Sequence, residues 1–358
     1  MSRRTLSLFL AAVMVFALVF DVAGAAAALK AKRYKVGLLV NLLGDRSYWD
    51  SAARGIKWAN EKLPNIDGRV FEHKDTGEME LTARALADQG YDMVIVMGWG
   101  SEDWAARVAK EYPDTHFFGA AVKLPNLPNT SSGDFLEHEG CFTVGMVAAM
   151  MTKTGKVGYI GGSDSPLLNR FRLGYIQGVK YANPKVEVVT GWVGVFNDPT
   201  KAKELALTQY QEGCDIIFAA AGKSGEGVLA AAAEKGKYAI GVDSDQCWIR
   251  PGNVITSMLK RVDMVVFNKC KQLSEGALKT GFEAYGLKEG LVGACHLYGE
   301  DTEFLDKGPK DMVAKLKNEV MPQVQKAVER IKAGEFGVED YMKVFPVTKT
   351  PPVGGMIK

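Results

Sequence analysis

The chain has 358 residues, 47% hydrophobic and 24% charged, an ordinary globular composition with room for two domains. Its 44 basic and 42 acidic residues leave a formal charge of +2 without a long basic block, which argues against recognition of nucleic acid or an anionic membrane by bulk charge. Disorder, a collagen-like repeat and a multi-span membrane protein do not fit these numbers either.

Arg3 and Arg4 precede an apolar run over 6–20, and small residues follow at Ala23-Gly24-Ala25. That is the layout of a cleavable secretory signal peptide over residues 1–27, with general secretion favoured over twin-arginine export. No cysteine lies near the cleavage site to carry a lipoprotein anchor, so the expected location is the periplasm. Cys141, Cys214, Cys247, Cys270 and Cys295 are widely spaced and odd in number, fitting neither a disulfide scaffold nor a zinc cluster. Buried thiols are expected, with one bridge possible. The four histidines are scattered without metal-ligand spacing.

From Tyr34 onward, short apolar runs alternate with longer amphipathic ones, as in parallel strands joined by crossover helices. Strands are predicted at 35–40, 70–73, 93–97, 116–120, 156–160, 186–192, 215–220, 238–242 and 254–259. Too many βα units follow one another for a single sheet, and the polar stretch at 152–156 separates an apolar helix over 141–151 from a fresh strand. Two similar α/β lobes are therefore predicted. The last third adds a helix over 262–278, a strand near 291–296 and a long helix over 310–332.

Ligands of open parallel sheets sit beyond the carboxyl ends of the strands, so the loops leaving those ends are the candidates. The first runs from Asn41 through Asp45 to Tyr48 and Trp49, two adjacent rings at a helix start. Neighbours on a helix point about 100° apart, so the two cannot share one core. Gly98-Trp99-Gly100-Ser101 follows the third strand, with Trp99 either in the cleft or in the core. Phe196 precedes Asp198-Pro199, a capping carboxylate before a first-turn proline; cleft stacking and core packing are both open to it. Gly222-Lys223-Ser224 and Gly241-Val242-Asp243-Ser244-Asp245 follow later strands.

Signatures of catalysis fail in turn. The earlier glycine that a P-loop ending at Gly222-Lys223-Ser224 requires is Ile217. Asp243 and Asp245 lack the later ligands of a calcium loop, no G-x-S-x-G elbow exists, and His138-Glu139 lacks the second histidine of a zinc protease. No catalytic residue, metal or cofactor is assigned.

Taken together and in order, several motifs resemble those of the basic membrane protein (BMP) family of substrate-binding proteins, which includes purine nucleoside receptors of ABC transporters. They are Gly44-Asp45-Arg46-Ser47-Tyr48, Lys153-Thr154-Gly155-Lys156-Val157-Gly158, Gly174-Tyr175-Ile176-Gln177-Gly178, Phe196-Asn197-Asp198-Pro199, Ala221-Gly222-Lys223-Ser224-Gly225-Glu226-Gly227, Ile240-Gly241-Val242-Asp243-Ser244-Asp245-Gln246 and Thr256-Ser257-Met258-Leu259-Lys260-Arg261. The resemblance implies a type I periplasmic-binding fold, two Rossmann-like lobes joined by three hinge crossovers. With the break noted above, one lobe would comprise 28–153 plus 258–290 and the other 154–257 plus 291–358.

The resemblance also implies that Tyr48 and Phe196 sandwich a base, that Asp243 and Lys260 clamp a ribose, that Gly222 gives close backbone contact and that Glu139 faces the base. For Glu139, helix-start electrostatics is the competing reading. Two positions depart from the family. Trp49 stands where asparagine is usual, and Asn41 stands for an early aspartate in a shortened loop, so purine identity is open and the rings at Trp49, Trp99 and Trp192 would suit another flat solute. The ligand-binding set is thus Asn41, Asp45, Tyr48, Trp49, Gly98, Trp99, Glu139, Phe196, Gly222, Asp243 and Lys260. The expected protein is a monomeric carrier that delivers a nucleoside-like solute to an inner-membrane ABC permease. Alternatives are a carrier for a flavin or free base, a ligand sensor for a membrane receptor and, least of all, a nucleoside-cleaving enzyme.

Overall fold

A computed structural model describes residues 32–98, 100–300 and 303–344, so the leader lies outside the described residues. The first sheet has the order β2-β1-β3-β4-β5-β11, all parallel, from β1 (Tyr34–Val40), β2 (Ile66–Glu72), β3 (Met93–Val96), β4 (His116–Ala120), β5 (Thr130–Phe135) and β11 (Gly281–Tyr285). The second repeats it as β7-β6-β8-β9-β10-β12, from β6 (Lys156–Gly161), β7 (Glu187–Trp192), β8 (Ile216–Ala220), β9 (Tyr238–Asp243), β10 (Val254–Lys260) and β12 (Val292–Ala294). Among the described residues only β12 runs antiparallel to its neighbour, β10.

Both sheets are covered on two faces, and the strands show it. Every residue of β3 (MVIV) and of β8 (IIFAA) is buried. In β8, Ile216, Phe218 and Ala220 enter one core while Ile217 and Ala219 enter another, the period of two expected for a strand between helix layers.

The helices that set up the cleft are α1 (Tyr48–Lys62), α2 (Thr76–Asp88) and α3 (Glu102–Glu111) in the first lobe. They are followed by α4 (Glu137–Met151), α5 (Pro166–Ala182), α6 (Pro199–Gln211), α7 (Gly225–Lys235) and α8 (Val262–Ser274). The chain leaves the first sheet through α4, returns to it through α8 and β11, and leaves again for β12, which makes three crossovers. Helix α4, buried on almost every face, lies against α5, β10 and β12, and β10 belongs to the second sheet, whereas α8 lies on α1. The α4–α5 contact explains the glycines of the Gly174–Gly178 motif, because a Cβ at either would run into the α4 backbone at His138 or Phe142.

Candidate functional site

The loop after β1 is built around Asp45. Its buried carboxylate accepts the backbone N–H groups of Ser47 at 3.0 Å, Trp49 at 3.1 Å and Asp50 at 3.1 Å, which anchors the entry to α1. Burial pushes this carboxyl up to about 6, against the opposing pull of those three donors. Tyr48, the first residue of α1, donates its hydroxyl to Ala120 O at 3.2 Å, and burial raises its pKa to about 12. The Trp49 ring meets Tyr48 edge-on at 4.9 Å between centroids, with its tip over Gly98, where an added Cβ would lie 3.1 Å from Cη2.

On the second lobe Phe196 is 43% exposed, unusual for so large an apolar ring. It lies across two strand-end turns, over Gly162 after β6 and Gly222 after β8, and any side chain at Gly162 would collide with the ring. Ser224 fixes this loop: its N–H donates to Phe196 O at 3.0 Å, its hydroxyl donates to Val195 O at 3.0 Å, and it accepts the Asp198 N–H at 2.9 Å. Asp198 in turn caps α6 by accepting the Lys201 N–H at 3.0 Å, with Pro199 in the first turn as expected. The result is a rigid, half-exposed ring on a glycine floor.

Asp243 ends β9 in the left-handed region at φ 64. Among the described residues the other non-glycine positions of this kind are Arg46 and Ala121, in the turns after β1 and β4, so backbone strain collects at the strand ends facing the cleft. Asp243 Oδ2 accepts the Ser47 hydroxyl at 2.5 Å, and burial holds its carboxyl above the usual range despite Lys260 and Ser47. Lys260, ending β10, is 3% exposed with Nζ 2.8 Å from Glu137 Oε1 and 4.9 Å from the Tyr48 ring centroid. Burial alone would lower its pKa; Glu137, Tyr48 and Asp243 outweigh it and hold the ammonium above its ordinary value.

Glu137 is buried between Lys260 and Arg170, whose Nη1 is 2.9 Å from Oε2. Burial would raise its pKa, but the two cations keep it below the ordinary carboxylate value. Arg170 also donates to His138 Nδ1 at 3.2 Å, Asp134 at 3.2 Å, Phe135 O at 2.7 Å and Asp340 at 2.9 Å, so a buried ionic network backs the Lys260 ammonium at the first crossover.

The lobes meet at these strand ends. Besides Ser47–Asp243, the Ser244 hydroxyl donates to Ser47 O at 3.3 Å, and Gln246 Nε2 donates to Arg46 O at 3.0 Å. Arg54 Nη2 reaches Ser244 Oγ at 3.2 Å, and Arg46 lies 3.5 Å from Glu226 and 5.5 Å from the Trp248 ring.

The structure thus brings together Asp45, Tyr48, Trp49, Gly98, Asp243 and Lys260, and separately Phe196 with Gly222; Arg46–Glu226 bridges the loops that carry the two sets. Asn41 is elsewhere engaged, its amide donating to the carbonyls of His73 and Lys74 at 3.0 Å each, at the end of edge strand β2. Glu139 accepts the Leu287 N–H at 2.8 Å and so braces the crossover between β11 and β12; burial raises its pKa. Trp99 lies outside the described residues. Ser47, Glu137, Arg170 and Gln246 join the site beyond the residues expected from the sequence. Ser47 sits within the first-loop motif itself, and Glu137 is the other acid at the start of α4.

Comparison with known proteins agrees with this architecture. The profile of a family described as ABC transporter substrate-binding protein PnrA-like matches residues 23–339. Basic membrane protein A2 of Borrelia garinii subsp. bavariensis is 32% identical over 321 residues, 86% of this chain and 90% of that protein. An ABC transporter solute-binding protein from Aeropyrum pernix superimposes with a TM-score of 0.74 at 30% identity, covering 86% of this chain and 94% of the other. A solute-binding protein from Conexibacter woesei, 22% identical with a TM-score of 0.69 over 86% of this chain and 99% of the other, shares the fold. The two-lobed arrangement is the type I periplasmic-binding fold. No helix among the described residues is long and apolar enough to cross a membrane.

Proposed function

The chain belongs to the PnrA-like (Bmp) family of ABC transporter substrate-binding proteins, and we propose that its solute is nucleoside-like, a purine nucleoside first among the candidates. The observation that carries the reading is Phe196, an exposed ring seated on Gly162 and Gly222. A ring held at that exposure by a fixed loop is a stacking face waiting for a flat partner.

Tyr48 supplies the second face from the other lobe. Asp243 accepts hydrogen bonds from a vicinal diol, and Lys260, whose Nζ lies 2.8 Å from Glu137 Oε1, donates to ribose oxygens. Micromolar affinity requires about −8 kcal/mol, and two stacking faces at roughly 1–3 kcal/mol each with a charge-assisted clamp reach that range once closure excludes water. The carrier acts outside the cytoplasm, exported by its leader as a monomer, and hands the unchanged solute to a permease of the inner membrane.

The deciding experiment is mass spectrometry of whatever small molecule co-purifies under native conditions, followed by titration of the stripped protein with nucleosides, free bases and flavins. A nucleoside supports the reading. A co-purified ligand without a flat face, or tight binding of such a ligand alone, overturns it; a flavin or free base keeps the stack and removes the ribose clamp.

A further inference from the structure

We propose that Cys247 and Cys295 are joined by a disulfide bond in the exported protein. Their sulfur atoms and a carboxylate oxygen of Asp245 all lie within 4.8 Å of one another, and both cysteine side chains are fully buried. The two converge on one residue of β10. Cys247 Sγ is 3.8 Å from Ser257 Oγ, and Cys295 Sγ accepts the Ser257 N–H at 3.3 Å. A bond needs the two sulfurs to approach from this separation to ~2.05 Å.

The other cysteines stand apart from this pair on the chain: Cys141 within α4, Cys214 just before β8 and Cys270 within α8. Burial pushes their thiols up, to about 12 for Cys214 and Cys270, which suits inert packing residues. One bridge and three thiols account for the odd number.

The alternative occupant of the cluster is a metal ion. Asp245 does not favour it, since its Oδ1 already accepts the Cys247 N–H at 3.0 Å and closes the local turn.

Compartment and position strengthen the assignment. Substrate-binding proteins of ABC importers work outside the cytoplasm, where disulfides persist. Cys247 follows β9, the strand that ends in Asp243, and Cys295 directly follows β12. Between them the chain runs through β10, crosses to the first lobe for α8 and β11, and comes back. The bond therefore staples both ends of that excursion within the second lobe, whatever the solute.

Formation is ordinary exchange with an incoming disulfide, either a small-molecule disulfide or that of an oxidoreductase, as the chain folds. One cysteine thiolate attacks it and releases a thiol; the second cysteine then attacks the mixed disulfide and releases another. Two S–H bonds are lost, one S–S bond forms, and the two electrons and two protons end on the reduced oxidant.

The test uses the full chain exported to an oxidising compartment and purified without reductant. Denatured in iodoacetamide, it takes up three alkyl groups, and five after reduction; digestion without reduction yields a peptide pair linking Cys247 to Cys295. Cys295→Ser takes up four groups with or without reductant, and reduction lowers the Tm of the natural sequence but not of this variant. Alkylation of all five cysteines without reductant overturns the proposal, as does a linked peptide between another pair. Stoichiometric zinc by elemental analysis together with five reactive thiols overturns it in favour of a metal site.

Discussion

Phe196→Ala separates a binding role from a structural one. The ring is 43% exposed and touches chiefly the turns at Gly162 and Gly222, so its removal opens no closed cavity, and the loss of stability is expected within about 1 kcal/mol. Binding is a different matter. Loss of one stacking face is worth roughly 1–3 kcal/mol, which at 1.4 kcal/mol per decade weakens Kd by about fivefold and by as much as ~140-fold. Phe196→Tyr, which keeps the ring, stays within about threefold. The assay is calorimetric titration of ligand-stripped protein with the nucleoside identified by mass spectrometry, alongside thermal unfolding without ligand. Unchanged affinity refutes the stacking role, and a fall of many degrees in the apo Tm shows instead that the ring is a packing residue.

Asp243→Asn keeps the side-chain shape and a partner for Ser47 but removes the charge, so affinity for ribosides falls more than affinity for the corresponding free bases; equal losses in competition titrations would show that the acid does not read the sugar. Lys260→Met leaves Glu137, 1% exposed, with Arg170 as its remaining cation, and breaking a buried pair in this way costs about 3–5 kcal/mol. The apo Tm then drops on the order of 10 °C, and adding Glu137→Gln restores part of it. If the double variant is no more stable than the single one, the ionic backing has been misread. Burial, helped by Lys269, lowers the pKa of His116 to about 4, below its ordinary 6.5. The unfolded chain therefore takes up this proton first, and stability from this group falls as pH drops from about 6.5 to about 4, by about 3 kcal/mol in full. Denaturant midpoints at pH 7 and pH 4.5 should lie closer together in His116→Gln, and an unaltered difference refutes the assignment.

The strands that the sequence made legible are those buried on both faces. β3 and β8 are uninterrupted apolar runs, and nothing else of that length and composition fits between two helix layers. β5 could not be read in this way. Its Thr130, Ser131 and Ser132 are polar yet buried, and they are satisfied by partners outside the strand: Pro125 O at 2.6 Å, His116 Nε2 at 2.8 Å and the Leu124 N–H at 2.8 Å. β11, with Gly281 and Glu283, exists as a strand because β5 offers it a parallel edge from Ser131 to Phe135. Site residues divide along the same line. Tyr48, Phe196, Asp243 and Lys260 sit in strand-end motifs that survive as local sequence. The Glu137–Arg170 pair joins residues 33 positions apart and has no local signature. Asn41 and Glu139 occupy strand-end and helix-start positions from which the cleft is reachable, but backbone groups of neighbouring turns engage them first.

The geometry of closure ties the clamp to the stack. Ser47 and Tyr48 are consecutive, so the segment that delivers one ring to the cleft also brings the hydroxyl that meets Asp243 across it. The polar contacts between lobes run from the buried Ser47–Asp243 and Ser47–Ser244 hydrogen bonds out to the half-exposed Arg46–Glu226 pair. Each hydrogen bond is worth about 0.5–1.5 kcal/mol net, and the half-exposed Arg46–Glu226 pair about 0–1. Such a sum is what these side chains contribute to the balance between open and closed forms before any solute is bound. A ligand shifts that balance only by its preference for the closed form. A solute stacked on Phe196 alone binds both forms equally and shifts nothing. One that also meets Tyr48, and draws Asp243 and Lys260 to its polar end, gains its extra contacts only when the lobes are shut. On the proposed function, specificity for a flat body with a hydroxylated tail and the closing motion would be one property of the same loop.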